Sequence, residues 1–141
     1  MNEVNFREAL EELLRRDTRY HRDAYLFVRE ALDFTQRQIS KANKDEVRHV
    51  TGRELLGGIR DFALQQYGPM AALLLEQWGV RTCEDFGEIV FNMVEGHLLA
   101  KTENDSREDF KGIYNFEEAF RQPFLPSQAK SQVEKKETNQ P

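Results

Sequence analysis

The sequence lacks several features that define large protein classes. Cys83 is its only cysteine, so the chain can form no internal disulfide and holds neither a CxxC redox pair nor a cysteine-rich zinc site. No stretch approaches the roughly 18 consecutive apolar residues of a membrane-spanning helix, and no basic region leads into an apolar run at the N-terminus. These absences predict a cytoplasmic protein without membrane association, stabilised by packing alone.

Motifs for metals, phosphates and activated nucleophiles are also missing. The three histidines are scattered, and no HxxxH or HExxH pair would place two ligands on one helical face. The acidic run over residues 103–109 lacks the spacing and the turn glycine of a calcium-binding loop. No GxGxxG, GxxxxGK[ST] or GxSxG pattern occurs. We therefore expect no metal site and no cofactor, and we assign no catalytic residue.

The residues that are present fit one modest core and an uneven surface charge. The chain has 141 residues, of which 39% are hydrophobic, as in a single domain. Residues 1–60 carry 12 Lys/Arg against 11 Asp/Glu (+1), residues 61–121 carry 5 against 12 (−7), and residues 122–141 carry 3 against 2 (+1), which gives the net charge of −5. The acidic second half would attract cations or basic proteins and repel phosphate backbones.

Hydrophobic periodicity and capping signals predict five helices. Apolar residues recur three and four positions apart over residues 5–16 and 19–39. After a charged loop, Thr51 and Glu54 form a T-x-x-E capping box that opens a helix over residues 51–67. Glycine and proline then separate a fourth helix over residues 69–78, and Thr82 is placed to cap a fifth over residues 82–95.

The apolar stripes of these helices also predict the core. Gly57, Gly58 and Gly87 lie inside helices, where glycine is unfavourable, so we expect close helix crossings there to offset the cost. Seven side chains are predicted to be buried: Leu10, Phe27, Leu56, Phe62, Trp78, Ile89 and Val90.

The fold class predicted is mainly α, with a small helical domain over residues 1–121 and a disordered, polar, proline-containing tail over residues 122–141. The order of the third to fifth helices is that of a winged helix-turn-helix over residues 51–116. In that arrangement residues 98–102 and the aromatic, alternating residues 112–116 would be strands of a short β-hairpin. Residues 98–102 could instead be the last turn of the fifth helix. An all-α bundle is the alternative.

The fifth helix favours a protein partner over DNA. Recognition helices offer Arg, Lys, Asn or Gln to bases and basic residues to phosphates, but residues 82–100 contain no Lys or Arg. An acidic helix face suits a basic protein. Its candidate partner-binding residues are Glu84, Asp85, Glu88, Asn92 and Glu95.

An alternative site is a cluster of four arginines at the junction of the first two helices: Arg15, Arg16, Arg19 and Arg22. Such a cluster could bind RNA or another anion. Four carboxylates lie among them and nearly cancel their charge, which favours a solvated junction held by ion pairs: Glu11, Glu12, Asp17 and Asp23.

The chain resembles the Minf-type family of uncharacterised bacterial proteins. The resemblance runs from Phe6 to Pro126 and is carried by the motifs Asp17-x-Arg19-Tyr20, Ala24-Tyr25-x-Phe27-Val28, His49-Val50-Thr51-Gly52-x-Glu54-Leu55-Leu56, Trp78-Gly79-Val80, residues 85–92, Lys101-Thr102-Glu103-x-Asp105 and Tyr114-x-Phe116-x-x-Ala119-Phe120. It implies a single domain and brings no activity, cofactor or catalytic residue.

The sequence as a whole predicts a non-enzymatic cytoplasmic adaptor or regulator that binds a protein through an acidic surface. RNA or ribosome binding through the arginine cluster is the rival function. An enzyme that uses His49, Tyr20 or Tyr25 in a cleft is a third interpretation, which would require a pocket that gathers these side chains.

Overall fold

Five α-helices make up most of the described residues, which are residues 3–42, 49–99 and 106–126 of a computed structural model. Shorter helical turns are formed by Gly68–Met70, Arg107–Phe110, Glu117–Arg121 and Gln122–Phe124. The mainly helical prediction is confirmed, and no helix within the described ranges is long and apolar enough to cross a membrane. The five helices are α1 (Glu3–Arg16), α2 (Arg22–Ala42), α3 (Gly52–Tyr67), α4 (Ala71–Gln77) and α5 (Cys83–Glu95).

The predicted helix starts agree where a capping side chain fixes them. At α3 the Thr51 hydroxyl accepts a hydrogen bond from the Glu54 amide at 3.2 Å, and the Glu54 carboxylate accepts one from the Thr51 amide at 3.1 Å. Thr82 caps α5 in the same reciprocal way with Asp85. The predicted start of α2 at residue 19 is wrong, because residues 17–21 form a separate turn and the helix begins at Arg22.

That turn, which we call the α1–α2 junction (residues 17–21), is clamped by the end of α4. The His21 amide donates to the Trp78 carbonyl at 3.0 Å. Gly79 follows with φ of +90°, a conformation that glycine takes most readily, and a Cβ there would collide with the Arg19 carbonyl oxygen. The junction is therefore held against the end of α4.

The predicted winged helix and β-hairpin have no support in the described residues. Residues 112–116 form no strand, and residues 98 and 99 lie in a bend, while residues 100–102 are outside the described ranges. Phe110 ends a 3-10 turn and packs on Gly87, where a Cβ would approach the ring at 2.9 Å. Asn115 then caps the π-helical segment Glu117–Arg121 by accepting from the Glu117 amide at 2.8 Å. Packing and capping, not pairing of strands, order this aromatic segment.

The core follows the predicted stripes, with α2 packed along α3. Gly58 lies so close to Thr35 that a Cβ would collide with the threonine hydroxyl, whereas a Cβ at Gly57 would meet open space. The predicted close helix crossing thus occurs at Gly58 and not at Gly57, while Gly87 makes its close contact with Phe110 of a 3-10 turn. Val90 is only half-buried, while the other six predicted core residues are buried: Leu10, Phe27, Leu56, Phe62, Trp78 and Ile89.

The chain remains ordered into helical turns slightly past the predicted domain end at residue 121. Residues 122–124 form a 3-10 turn, with Phe124 42% exposed. The rest of the predicted tail, residues 127–141, lies outside the described ranges.

Candidate functional site

The two surfaces predicted as alternative binding sites meet in one polar network. At the α1–α2 junction the Arg19 guanidinium donates to the Asp17 carboxylate at 2.6 Å and reaches the Glu88 carboxylate of α5 at 3.4 Å. Arg107 donates to the other Glu88 oxygen at 3.2 Å. Glu88 therefore lies between two arginines, and an arginine of the basic cluster is paired with a carboxylate of the acidic helix.

Two further hydrogen bonds connect the junction to α5. The Tyr20 hydroxyl donates to the Asp85 carboxylate at 2.6 Å. The Asn92 amide nitrogen donates to the Asp17 carboxylate at 2.9 Å and to the Tyr25 hydroxyl at 3.1 Å. Three of the five predicted α5 residues, Asp85, Glu88 and Asn92, are therefore paired with groups of the protein itself.

In this network the pKa values of Asp17, Tyr20 and Tyr25 are all shifted further from neutral pH. The hydrogen bond from the Arg19 side chain holds the pKa of the Asp17 carboxyl well below its usual range, although partial burial opposes it. Burial and the hydrogen bond to Asp85 raise the pKa of the Tyr20 phenol, and burial raises that of Tyr25. Asp17 therefore stays charged and both phenols stay neutral at neutral pH, as suits fixed hydrogen bonds better than proton transfer.

The remaining predicted site residues lie nearer solvent. The Glu84 carboxylate accepts from the Gly112 amide at 2.8 Å, and Glu95 is 4.0 Å from Arg107 with 61% of its side chain exposed. Arg15 pairs with Glu12 at 3.0 Å and Arg22 approaches Glu11 at 3.8 Å. Ion pairs therefore hold much of the arginine cluster.

A small polar pocket opens between the end of α1 and the end of α5. It measures about 220 Å³ and is lined by Leu13, Arg16, Asp17, Asn92 and Glu95. Three of these five residues are binding residues predicted from the sequence: Arg16 in the arginine cluster, and Asn92 and Glu95 on α5. We call this cavity the polar pocket.

A larger cavity of about 270 Å³ lies on the other side of α5, between that helix, α2 and the start of α3. Gln36 and His49 supply its polar side chains, and four of its apolar residues are only half-buried. We call it the apolar pocket. Its half-buried apolar residues are Leu32, Val90, Val94 and Leu99.

Cys83 is the single thiol of the chain, and His49, Tyr20 and Tyr25 are the residues of the enzyme interpretation. The Cys83 thiol is buried and donates to the Tyr114 carbonyl at 3.3 Å, and burial raises its pKa. His49 lies at the apolar pocket, whereas Tyr20 and Tyr25 belong to the polar network, so no described pocket gathers the three. Within the described ranges no group of three or more His, Cys, Asp or Glu could hold a metal ion.

Sequence patterns alone do not predict the apolar pocket or the partners within the network. Val90 and Ile89 occupy the same apolar stripe, and periodicity does not distinguish a pocket wall from the core. Asp17, Tyr20, Tyr25 and Asn92 all fall within the motifs that carry the family resemblance, which is the one signal in the sequence that groups them.

Comparison of the chain with family models, curated proteins and solved structures found no match. The resemblance to the Minf-type family stays a prediction, and the site is interpreted from its own geometry.

Proposed function

We propose that the protein is a non-enzymatic cytoplasmic adaptor or regulator that takes one large apolar side chain of a protein partner into the apolar pocket. The observation that carries the proposal is the set of half-buried apolar side chains around a cavity of about 270 Å³. A well-formed apolar cavity with a few polar groups is the default binding site of a protein. Protein interfaces gain most of their affinity from large side chains buried in such pockets.

The large apolar side chain that enters the pocket is the partner's anchor. The charges around the apolar pocket indicate which residues should flank this anchor in the partner. α5 forms one wall of the pocket through Val90, Phe91 and Val94 and contains no Lys or Arg. At the opposite wall Asp109 is exposed and contacts Gly52, where a Cβ would approach its Cβ at 3.0 Å. Arg107 also lies at this wall, with its guanidinium carbon 4.8 Å from the centroid of the Phe91 ring, and it pairs with Glu88 and, at 4.0 Å, with Glu95. A partner whose anchor is flanked by Lys or Arg is therefore favoured by the net charge of −7 over residues 61–121 and not by an all-acidic pocket rim.

The acidic residues predicted on α5 enter this proposal through their charge. Asp85, Glu88 and Asn92 already hold the α1–α2 junction, so a partner that displaced them would first have to break their hydrogen bonds, two of which are partly buried. Glu84 and Glu95 are the more exposed members of the set. Together the carboxylates would speed association of a basic partner and make it depend on salt.

RNA binding through the arginine cluster has less support. Nucleic acid draws affinity from unpaired Lys and Arg that release counterions from phosphates. Arg15, Arg19 and Arg22 face carboxylates within the molecule, so a phosphate would have to compete with each of them.

A peptide selection tests the proposal even though the partner is unidentified. The full chain is immobilised and exposed to a random peptide library displayed on phage. We expect enrichment of peptides with one Trp, Phe, Tyr, Leu or Met beside Lys or Arg. Enriched peptides should lose affinity for Val94→Phe, which fills the pocket, and keep it for Leu73→Phe, a matched change at an exposed residue of α4.

Two outcomes would overturn the proposal. Peptides that bind wild type and Val94→Phe equally would place the binding site elsewhere. A chain that selects no peptide but retains RNA from nuclease-free extract, in a salt-dependent way, would support the rival function.

A further inference from the structure

Arg16 differs from its neighbours in the arginine cluster, because within the described residues its guanidinium has no hydrogen bond and no ion pair. It lies at the end of α1, beside the last turn of α5, where a Cβ on Gly96 would be 3.7 Å from its Nη2. It also lines the polar pocket. A guanidinium with open donors at a cavity is a ready partner for a carboxylate, which it can bind through two parallel hydrogen bonds.

Asn92 presents its acceptor in a fixed orientation. Its amide nitrogen donates to both Asp17 and the Tyr25 hydroxyl, and these two bonds use both N–H groups. The carbonyl oxygen of the same amide has no donor among the described residues. The pocket wall therefore holds an acceptor that cannot rotate away without breaking two hydrogen bonds.

The same cavity is lined by two carboxylates. Asp17 is held by Arg19 and Asn92, and Glu95 is largely exposed with one weak contact to Arg107 at 4.0 Å. An ammonium group donates three hydrogen bonds and pairs with such acceptors. The pocket thus has one cationic group and several acceptors for a cation.

We propose that the polar pocket binds a small α-amino acid in its zwitterionic form. The ligand carboxylate pairs with Arg16, and the ammonium group donates to Glu95 and to the Asn92 carbonyl oxygen. The ligand side chain faces the open side of the pocket, because Leu13 at the pocket floor is only 1% exposed. The volume of about 220 Å³ suits a small ligand, since a cavity of about 150 Å³ already holds benzene. This inference does not rest on the apolar pocket, because the two pockets share no lining residue. Glu95 is the one carboxylate that also belongs to the set that would attract a basic partner.

The test is a titration of the isotopically labelled full chain with L-alanine and L-leucine, followed by nuclear magnetic resonance. We expect saturable shifts of the Asn92 side-chain NH₂ signals and of the Gly96 amide. Arg16→Gln should weaken binding roughly tenfold or more, because it removes a charge-assisted hydrogen bond. Arg15→Gln is the matched control, since Arg15 pairs with Glu12 and does not line the pocket.

Acetate and methylammonium at equal ionic strength separate the zwitterion from its halves. Neither should reproduce the saturable shifts at the concentrations at which the amino acids do. The proposal is overturned if no amino acid gives saturable shifts, if acetate alone binds as well, or if Arg16→Gln binds like wild type.

Discussion

Tyr20 and Asp85, which are 65 positions apart, are joined by a hydrogen bond of 2.6 Å. The same aspartate accepts from the Arg81 and Thr82 amides at 2.9 and 3.2 Å and thereby caps α5. One carboxylate thus fixes both the start of a helix and the position of the α1–α2 junction against it.

Removal of the Tyr20 hydroxyl should lower the free energy of unfolding. Tyr20→Phe loses one hydrogen bond to a charged group, which is worth about 1.5–3 kcal/mol. Tyr67→Phe is the matched control, because the Tyr67 hydroxyl has no hydrogen bond among the described residues. Urea unfolding of both variants measures the difference. Equal stability of the two would show that the Tyr20–Asp85 bond contributes nothing net.

Acid should destabilise the protein partly through Asp17. Its folded-state pKa lies below the unfolded value of about 3.9, so the carboxylate contributes stability at neutral pH that is lost as pH falls from about 5 towards the folded pKa. We expect Asp17→Asn to be less stable than wild type at pH 7 and to lose less on acidification to pH 3. Parallel curves for wild type and Asp17→Asn would contradict the assignment.

The adjacent glycines of α3 should respond oppositely to alanine. Gly57→Ala meets open space and should stabilise the helix by about 0.5–1 kcal/mol. Gly58→Ala would force its methyl group into the Thr35 side chain and should destabilise by roughly 1–3 kcal/mol. Thermal melts of the two single variants suffice. Stabilisation by both changes would mean that α2 and α3 do not cross closely at Gly58.

Truncation of two neighbours on α5 should distinguish core from pocket wall. Ile89 is fully buried, so Ile89→Ala should cost about 2–5 kcal/mol. Val90 is half-buried at the apolar pocket, and Val90→Ala should cost clearly less. Denaturant unfolding measures both losses of stability as shifts of the transition midpoint, provided that the slope of the transition is unchanged. A larger loss of stability for Val90→Ala than for Ile89→Ala would mean that Val90, and not Ile89, faces the core.

The sequence predicts the helices well where local chemistry decides them. Thr51, Glu54 and Thr82 fix helix starts through bonds to residues three positions away, which a sequence pattern contains in full. The predicted start of α2 is wrong because Asp17 and Arg19 order the junction together with Glu88, a residue distant in sequence.

The predicted strand over residues 112–116 is wrong for a related reason. Alternating aromatics over residues 110–116 are typical of a pleated strand, but here Phe110 packs on Gly87 and Phe116 packs on Phe86 at 5.6 Å between ring centroids. Likewise, the candidate site depends on pairs such as Asp17 and Asn92, 75 positions apart. No local pattern encodes such contacts, nor the empty volume beside Val90.

The most direct test of the proposed function is the affinity of one selected basic, apolar-anchored peptide for two matched variants. We expect fluorescence anisotropy to give a Kd at least roughly tenfold weaker for Val94→Phe than for wild type, with Leu73→Phe unchanged and all three proteins equally folded by circular dichroism. Equal affinity for wild type and Val94→Phe would contradict the account.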